Sequence, residues 1–164
     1  MNPTRITEIL DELGIVYRVL PHDEPVYTIA VAARQRHVTP GEMVKAILLV
    51  DVAGRYVMAC TRGDDRVDPR AVRAYLGEGW RRLRFATADE IAAVTGCIKG
   101  AVAPVGLPPE VPVLFDVAIE RLPKVSISSG DLMAGLELAT PDLIRVASAR
   151  LAPIAARLEE GGIA

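Results

Sequence analysis

The most apolar run of the chain constrains its fold more than any other feature. Met43–Val50 is almost continuously hydrophobic, which is typical of a strand buried on both faces. Asp51–Gly54 then has the composition of a tight turn, and Arg55–Thr61 follows as a second strand. Because so short a turn joins antiparallel neighbours, the sheet contains antiparallel pairing and is not a regular parallel βα repeat.

The other predicted elements are helices and strands in irregular alternation. Apolar spacing and capping residues predict helices at Thr4–Leu13, Thr28–Arg36, Asp68–Leu76, Thr87–Thr95 and Thr140–Val146. Short apolar runs predict further strands at Ile15–Leu20, Leu83–Phe85, Val113–Phe115, Val125–Ser128 and Gly135–Leu138. Near the end, Leu151–Leu158 is amphipathic, and Gly161-Gly162 is expected to fray. Together they predict an α+β fold, with a curled, barrel-like mixed sheet and helices packed outside.

Composition indicates a compact globular protein. The chain has 164 residues, 51% of them hydrophobic, and a net charge of −2. These values predict one domain over residues 1–164 that needs no disulfide or metal for stability. They exclude a disordered chain and a protein that binds nucleic acid through bulk positive charge. With aromatic residues at 4%, a single-strand binder built on stacked aromatic side chains is disfavoured.

Cysteines and histidines are too scattered to suggest a metal site. Cys60, Cys97, His22 and His37 show no metal-ligand spacing, and both cysteines are expected to be small core residues in a reducing compartment. The polar start, Met1–Asp11, does not resemble a signal peptide, and no apolar run reaches the roughly 20 residues of a membrane span. We therefore expect a cytoplasmic protein without a metal, a cofactor or a membrane partner.

Lys45 is unusual because it interrupts the apolar run. The chain has only three lysines among its 19 basic residues: Lys45, Lys99 and Lys124. Removing an ammonium from water costs several kcal/mol. Two interpretations remain open: the side chain extends from the strand's start to solvent, or a cleft holds it to bind a phosphate or a developing oxyanion.

Three further segments have a composition that suggests a role. Thr95–Gly106 lacks polar side chains from Gly100 onward, which fits either a tight turn between core elements or a backbone offered to a ligand. Ser126–Gly130 ends a strand in small hydroxyl residues that can wall a pocket, but it lacks the glycines of a Gly-x-Ser-x-Gly nucleophile. Trp80–Arg84 is the strongest basic cluster, either a solvated edge or a contact to nucleic-acid phosphates.

The order of these features resembles the YbaK family of aminoacyl-tRNA deacylases, which is related to the editing insertion of bacterial prolyl-tRNA synthetase. The resemblance extends from about Leu10 to Ala149. The residues that carry it are His22-Asp23, Val44–Val50, Asp68, Thr95–Gly106, Val125–Gly130 and Thr140–Leu143. Under this resemblance, the family lysine corresponds to Lys45 and the family Gly-x-x-x-Pro motif to Gly100–Pro104.

The resemblance implies hydrolysis of the ester between a wrong amino acid and the terminal adenosine of tRNA, typically tRNA for proline. An aminoacyl ester is already activated, so the reaction needs a positioned water and a stabilised oxyanion rather than a strong nucleophile. The implied catalytic residues are Lys45 and Gly100. The implied substrate-binding residues are His22, Ala46, Ala101, Val102, Ala103, Pro104, Ser128, Ser129 and Gly130. The implied partners are the aminoacyl-tRNA acceptor end and an aminoacyl-tRNA synthetase, with no DNA.

The alternative is a non-catalytic module of the same fold that binds tRNA, a synthetase or a small ligand. Departures from the family pattern motivate it. Ala46 stands where the family often has Thr, and Asp131–Ala134 stands where some members carry Lys-Arg-Gly. Turnover of charged tRNA separates the two hypotheses.

Overall fold

A computed structural model describes residues 2–156 of the chain, and within them it contains five α-helices and ten β-strands. The helices are α1 (Arg5–Glu12), α2 (Ile29–Arg36), α3 (Pro69–Leu76), α4 (Ala88–Thr95) and α5 (Thr140–Val146). The strands are β1 (Tyr17–Pro21), β2 (Val44–Asp51), β3 (Tyr56–Arg62), β4 (Arg66–Val67), β5 (Leu83–Phe85), β6 (Val113–Asp116), β7 (Lys124–Ser128), β8 (Ala134–Ala139), β9 (Arg150–Ala152) and β10 (Ala155–Ala156). The predicted helices and strands are thus present, with ends shifted by a residue or two.

The strands form three sheets. The central sheet has the order β5-β2-β3-β6-β9, in which β2 is antiparallel to β3 and β5 while the β3–β6 and β6–β9 pairs are parallel. A second sheet, β1-β8-β7, is antiparallel, and β10 pairs with β4. The mixed α+β architecture is confirmed. The described strands do not close into a barrel, because β5 and β9 remain edges of the central sheet.

The hairpin predicted from the apolar run is β2–β3. The two strands pair in antiparallel register, with Lys45 opposite Thr61. Val44 and Leu48 pack in the larger hydrophobic cluster of the core, and Leu49 packs in a smaller one on the other face. The nearly continuous hydrophobicity of β2 therefore reflects burial on both faces of the sheet.

Predicted caps begin three of the helices. The Thr28 hydroxyl accepts the N–H of Val31 at 3.3 Å at the start of α2. Thr87 and Glu90 form the predicted capping box of α4, and Asp68 caps α3. Each such cap contributes on the order of 1 kcal/mol, so the local sequence fixes where these helices begin.

The edge of β2 that faces away from β3 has two different partners. At the start of the strand, Met43 forms an isolated bridge with Ser126 in β7. At its end, residues 49–51 pair with β5. Between these contacts, residues 45–47 have no strand partner on this edge among residues 2–156. The fold thus leaves a gap beside the middle of β2.

The backbone of Ala46 faces this gap. The carbonyl of Leu48 accepts the N–H of Ala86 at 2.9 Å, so the polar groups of Leu48 point away from β3. Backbone direction alternates along a strand, and Ala46 therefore presents its N–H and C=O on the same side.

The C-terminal stretch differs from a single amphipathic element. Within the described residues, the predicted stretch Leu151–Leu158 divides between β9 and β10, which add to β6 and β4. Ile154 is fully buried between them. Residues 157 and 158 and the predicted frayed end Gly161-Gly162 lie outside the described residues, and the single domain over residues 1–164 stays a prediction.

The two cysteines are free thiols. Cys60 is fully buried in the larger core cluster and Cys97 is half-buried against it, as predicted. Over residues 2–156, no helix combines the length and the apolar character needed to cross a membrane. The same residues contain no group of three or more His, Cys, Asp or Glu side chains arranged to hold a metal ion.

Candidate functional site

A cavity of about 350 Å³ opens at the gap beside β2. Its wall combines β2 with the start of α2, the end of β5, the loop after α4 and the end of β7. Most lining side chains are apolar, among them Val26, Ile29, Ile47, Leu48 and Ile91. An interrupted sheet edge therefore produces a concave, largely apolar site with exposed backbone groups, which is the usual form of a small-ligand pocket.

Five of the predicted site residues line this cavity together: Lys45, Ala46, Gly100, Val102 and Ser128. They come from β2, the loop after α4 and β7, which are separated by tens of residues in the sequence. The structure therefore brings the two implied catalytic residues to one cleft. Their chemical roles stay predictions.

Lys45 is half-buried at this cavity. Its Nζ lies 3.5 Å from the carbonyl oxygen of Gly63, a long contact, and the side chain forms no salt bridge with the described residues. Burial lowers the pKa of Lys45, and the neighbouring Asp65 opposes that shift. Asp65 itself pairs with Arg62 at 2.9 Å. The Lys45 ammonium therefore keeps most of its hydrogen-bonding capacity for a ligand.

Gly100 reaches the cavity in a conformation that favours glycine. The N–H of Ala101 donates to the carbonyl of Ile98 at 3.0 Å, and this turn gives Gly100 a φ of +97°. A Cβ on Gly100 would lie 3.7 Å from the Cα of Tyr27, an ordinary contact. Backbone torsion rather than lack of space thus explains the glycine.

The rest of the glycine- and proline-rich segment enters the core. Ala101 and Ala103 are almost fully buried, and Ala103 belongs to the larger hydrophobic cluster. Pro104 borders a different depression, beside Ile9 and Leu13. Both interpretations of this segment therefore apply to different parts of it: Gly100 and Val102 border the cavity, whereas Ala101, Ala103 and Pro104 connect core elements.

Ser129 and Gly130 lie outside the cavity lining, next to Ser128. The Ser129 hydroxyl is buried, donates to the carbonyl of Ala134 at 2.6 Å and accepts the N–H of Asp131 at 3.1 Å. Gly130 has a φ of +90° and packs against Ile6 of α1. These two residues shape the loop after β7, so a part in substrate binding would be indirect.

His22 lies behind the cavity wall and contacts it through Arg36. Its Nδ1 donates to the carbonyl of Leu132 at 2.7 Å, and its Nε2 accepts the Nε–H of Arg36 at 3.0 Å. These two partners require a neutral ring with its proton on Nδ1. Burial lowers the pKa of His22, and the Arg36 charge adds to this effect.

Sequence reasoning missed Arg36, which lines the cavity and is only 6% exposed. Burial lowers the pKa of Arg36 to about 10, so the guanidinium stays charged at neutral pH. No sequence signal distinguishes it from Arg34, which lies on the same helix and is exposed. Only the contacts of the Arg36 side chain with β7 and β8 separate the two.

Two exposed aromatic residues at the cavity mouth were also missed. Tyr27 is 67% exposed and Phe85 is 58% exposed, and both line the cavity. Lys99, also exposed, lines it as well. Phe85 directly follows the basic cluster of the sequence, of which Arg84 is occupied by a salt bridge to Glu90 at 2.7 Å.

The described lining of the cavity is cationic. Three cationic side chains line it, those of Arg36, Lys45 and Lys99, and no Asp or Glu is among its described lining residues. A protein with a net charge of −2 has no general excess of cations, so this concentration is local. It favours a ligand that carries negatively charged oxygen.

Most of the chain matches a known protein family. Residues 23–146 match the family described as the aminoacyl-tRNA editing domain. That range includes the predicted site residues of β2, the loop after α4 and β7. His22 lies one residue before it.

Two kinds of curated relative match the chain. It is 34% identical to the proline--tRNA ligase of Bacillus licheniformis over 101 residues, which are 62% of this chain and 17% of the ligase. It is 33% identical to the proline--tRNA ligase of Trichlorobacter lovleyi over 110 residues, which are 67% of this chain and 19% of that ligase. The chain therefore spans less than a fifth of either ligase. It is 27% identical to the multifunctional Ser/Thr-tRNA deacylase ProXp-y of Escherichia coli K12 over 152 residues, 90% of this chain and 89% of that protein.

Solved structures share the fold. A hypothetical protein with 28% identity superposes with a TM-score of 0.84 and covers 93% of this chain and 100% of its own. A candidate trans-editing enzyme for prolyl tRNA synthetase superposes with a TM-score of 0.82 at 24% identity and covers 93% of this chain and 96% of its own. At that identity the second match supports the architecture alone.

Proposed function

Because this chain belongs to the aminoacyl-tRNA editing domain family, we propose that it is a trans-editing hydrolase that deacylates mischarged tRNA. Its substrate is tRNA for proline or a related tRNA that carries a small, wrong amino acid. The observation that supports this best is the shared cavity, where Lys45, Gly100 and the backbone of Ala46 meet. Such groups suit a reaction that needs positioning and charge stabilisation.

The reaction is hydrolysis of an ester. The oxygen of water forms a bond to the aminoacyl carbonyl carbon, and the bond from that carbon to the ribose oxygen breaks, leaving that oxygen with a proton. Negative charge develops on the carbonyl oxygen in between. In this proposal the Lys45 ammonium and the N–H of Ala46, which line the cavity, stabilise that charge, and the apolar walls exclude bulk water.

The described lining of the cavity includes no carboxylate and no imidazole to serve as a general base. The substrate supplies one suitable group itself, the vicinal hydroxyl of the terminal ribose, which can orient the attacking water. The Ala46 side chain has no hydroxyl, so at this position only the backbone takes part in the proposed reaction.

The mouth of the cavity suits the terminal adenosine. Tyr27 and Phe85 present exposed rings on which a base can stack, and such stacking contributes about 1–3 kcal/mol per base. Lys99 lies beside them and suits a backbone phosphate. With a net charge of −2, the protein binds only the end of the tRNA tightly, and a synthetase partner in the cytoplasm supplies additional affinity.

The direct test is loss of the aminoacyl ester from tRNA charged with a panel of small amino acids. We expect Lys45→Ala to slow deacylation about 100-fold, the scale typical of losing one oxyanion-stabilising group. Lys124→Ala is the matched control, because Lys124 is exposed and lies outside the cavity lining. Equal rates for the wild type and Lys45→Ala on every substrate would reject the role of Lys45.

The second candidate function is the non-catalytic binding module, which the absence of a hydroxyl at Ala46 favours. Filter binding with the same charged tRNAs separates it from the enzyme. Binding without turnover of any substrate by the wild type would support the module and reject the hydrolase.

A further inference from the structure

Arg36 is the most deeply buried cation of the cavity. It is the last residue of α2 and only 6% of its surface is exposed. Its guanidinium packs against Gly135 of β8 so closely that a Cβ there would overlap the arginine Nε and Cζ. Glycine at this position therefore makes room for the arginine, which indicates a built site rather than a chance burial.

Protein groups hold two of the three guanidinium nitrogens of Arg36. The Nε–H donates to His22 Nε2 at 3.0 Å, and Nη1 donates to the Ser126 hydroxyl at 3.1 Å and to the Ile127 carbonyl at 3.2 Å. All three acceptors are neutral. They fix the plane of the guanidinium without neutralising its charge.

The remaining nitrogen, Nη2, has no hydrogen-bond partner among residues 2–156, and no carboxylate there pairs with Arg36. Buried charges in proteins are normally paired, because an isolated one is costly to remove from water. Since Arg36 lines the cavity, a ligand bound in the cavity can accept the hydrogen bond of Nη2 and pair with the charge.

We propose that Arg36 forms an anion-binding subsite of the cavity, in which Nη2 binds a negatively charged oxygen of the ligand. The proposed function, on which this subsite rests, supplies two sources for that oxygen: the phosphate of the terminal adenosine or the carboxylate that the amino acid regains once its ester is hydrolysed. Lys45 and Lys99 line the same cavity and add to the attraction. Arg36 is then a specificity-determining residue, because a ligand without the anion leaves the buried guanidinium unpaired.

Two pairs of probes test the subsite, each by isothermal titration. Adenosine 5′-monophosphate against adenosine reports the phosphate source, and N-acetyl-L-alanine against N-acetyl-L-alaninamide reports the carboxylate source. We expect the wild type to bind one anionic probe at least about 10-fold more tightly than its neutral match, as charge-assisted hydrogen bonds typically produce. The measured quantity is the affinity ratio, the affinity for the anionic probe divided by that for its neutral match. We expect Arg36→Gln to reduce this ratio about 10-fold.

Arg34→Gln is the matched control, since Arg34 is an exposed arginine on the same helix and should leave both ratios unchanged. If Arg36→Gln does not fold, Ser126→Ala decides, because it removes one anchor and keeps the charge. We expect Ser126→Ala to reduce the ratio about 3-fold. Ratios near one in the wild type, or ratios unchanged in the folded Arg36→Gln or in Ser126→Ala, would overturn the subsite.

The outcome is separable from that of the proposed hydrolase. An Arg36-dependent ratio in a protein that deacylates no charged tRNA would support the subsite and reject the hydrolase. Deacylation by a protein whose ratios do not depend on Arg36 would reject the subsite alone.

Discussion

Strand β2 carries a charged residue near each end, and the two side chains differ in how many hydrogen-bond partners the protein gives them. At its last position, the Asp51 carboxylate is fully buried, accepts the N–H groups of Ala53, Arg55 and Arg81 at 2.9–3.2 Å and pairs with the Arg55 guanidinium at 3.0 Å. At its start, Lys45 has one long contact to a carbonyl. The protein itself therefore satisfies the hydrogen bonds and the charge of Asp51, whereas it leaves those of Lys45 largely unsatisfied.

The difference in hydrogen bonding separates structural charge from charge available to a ligand. Burial alone would raise the pKa of Asp51, but the N–H groups of Arg55 and Arg81 and the Arg55 guanidinium hold it below its usual value. Around Lys45 and Arg36, burial lowers the pKa of both cations and no described carboxylate pairs with either. Substitutions at the two ends should therefore affect different properties.

The largest effect on stability is expected at the Asp51 end. Asp51→Ala should lower the free energy of unfolding by about 3 kcal/mol, because three N–H groups lose their buried acceptor and Arg55 loses its carboxylate partner. Urea unfolding monitored by circular dichroism measures the change. The folded fraction should keep its deacylation rate; a rate loss without a stability loss would show that this end also serves the site.

Gly100→Ala should combine a smaller stability loss with a loss of activity. A φ of +97° disfavours alanine by about 1–2 kcal/mol, and the turn that presents residue 100 to the cavity should shift. Gly54→Ala is the matched control, since Gly54 has a φ of +85° in the β2–β3 turn, where an added Cβ would meet no atom within 4 Å. If both variants deacylate equally well, Gly100 has no part in the site.

The neutral form of His22 should make stability depend on pH. Its lowered pKa means that the folded state disfavours protonation, so this contribution is complete above about pH 6.5, the ordinary value for histidine, and is lost as the pH falls from there through the lowered value. The loss should be smaller than that of either variant above. His22→Gln should flatten this slope in urea unfolding series, and His37→Asn, at an exposed position, should not.

The smallest expected effect is that of Lys45→Met on stability. An ammonium with one long contact is replaced by an apolar side chain, so the free energy of unfolding should rise by about 0.5 kcal/mol while deacylation is lost. Thermal unfolding measures the shift. A clear destabilisation would place Lys45 in the same class as Asp51.

Much of the fold could be predicted from local signals. The β2–β3 hairpin followed from an apolar run and a turn, and the helix starts followed from Thr28, Asp68 and Thr87, whose caps act within a few residues. The strand character of β9 and β10 could not be predicted in this way. Each is three residues or fewer and exists because a distant strand supplies its hydrogen bonds.

Two site residues could be predicted because their residue type conflicts with the sequence around them. Lys45 is a charged residue in an apolar strand, and Gly100 lies in an apolar loop; a sequence shows both conflicts. Arg36 and Phe85 show none, because an arginine at a helix end and an aromatic residue on an edge strand are ordinary. Only their position in space gives them a role.

Local sequence patterns were sufficient to predict which segments form helices and strands, which residues conflict with their surroundings and which family the chain resembles. The elements and the conflicts depend on residues close together along the chain, and the resemblance depends on the order of short motifs along it. Three facts emerge only from the folded chain: the β2 edge is left open between β7 and β5, Lys45 and Gly100 share the resulting cavity, and Arg36 is buried there without a carboxylate partner among the residues described. Those facts depend on packing between segments far apart in sequence, where burial and charge compensation are set.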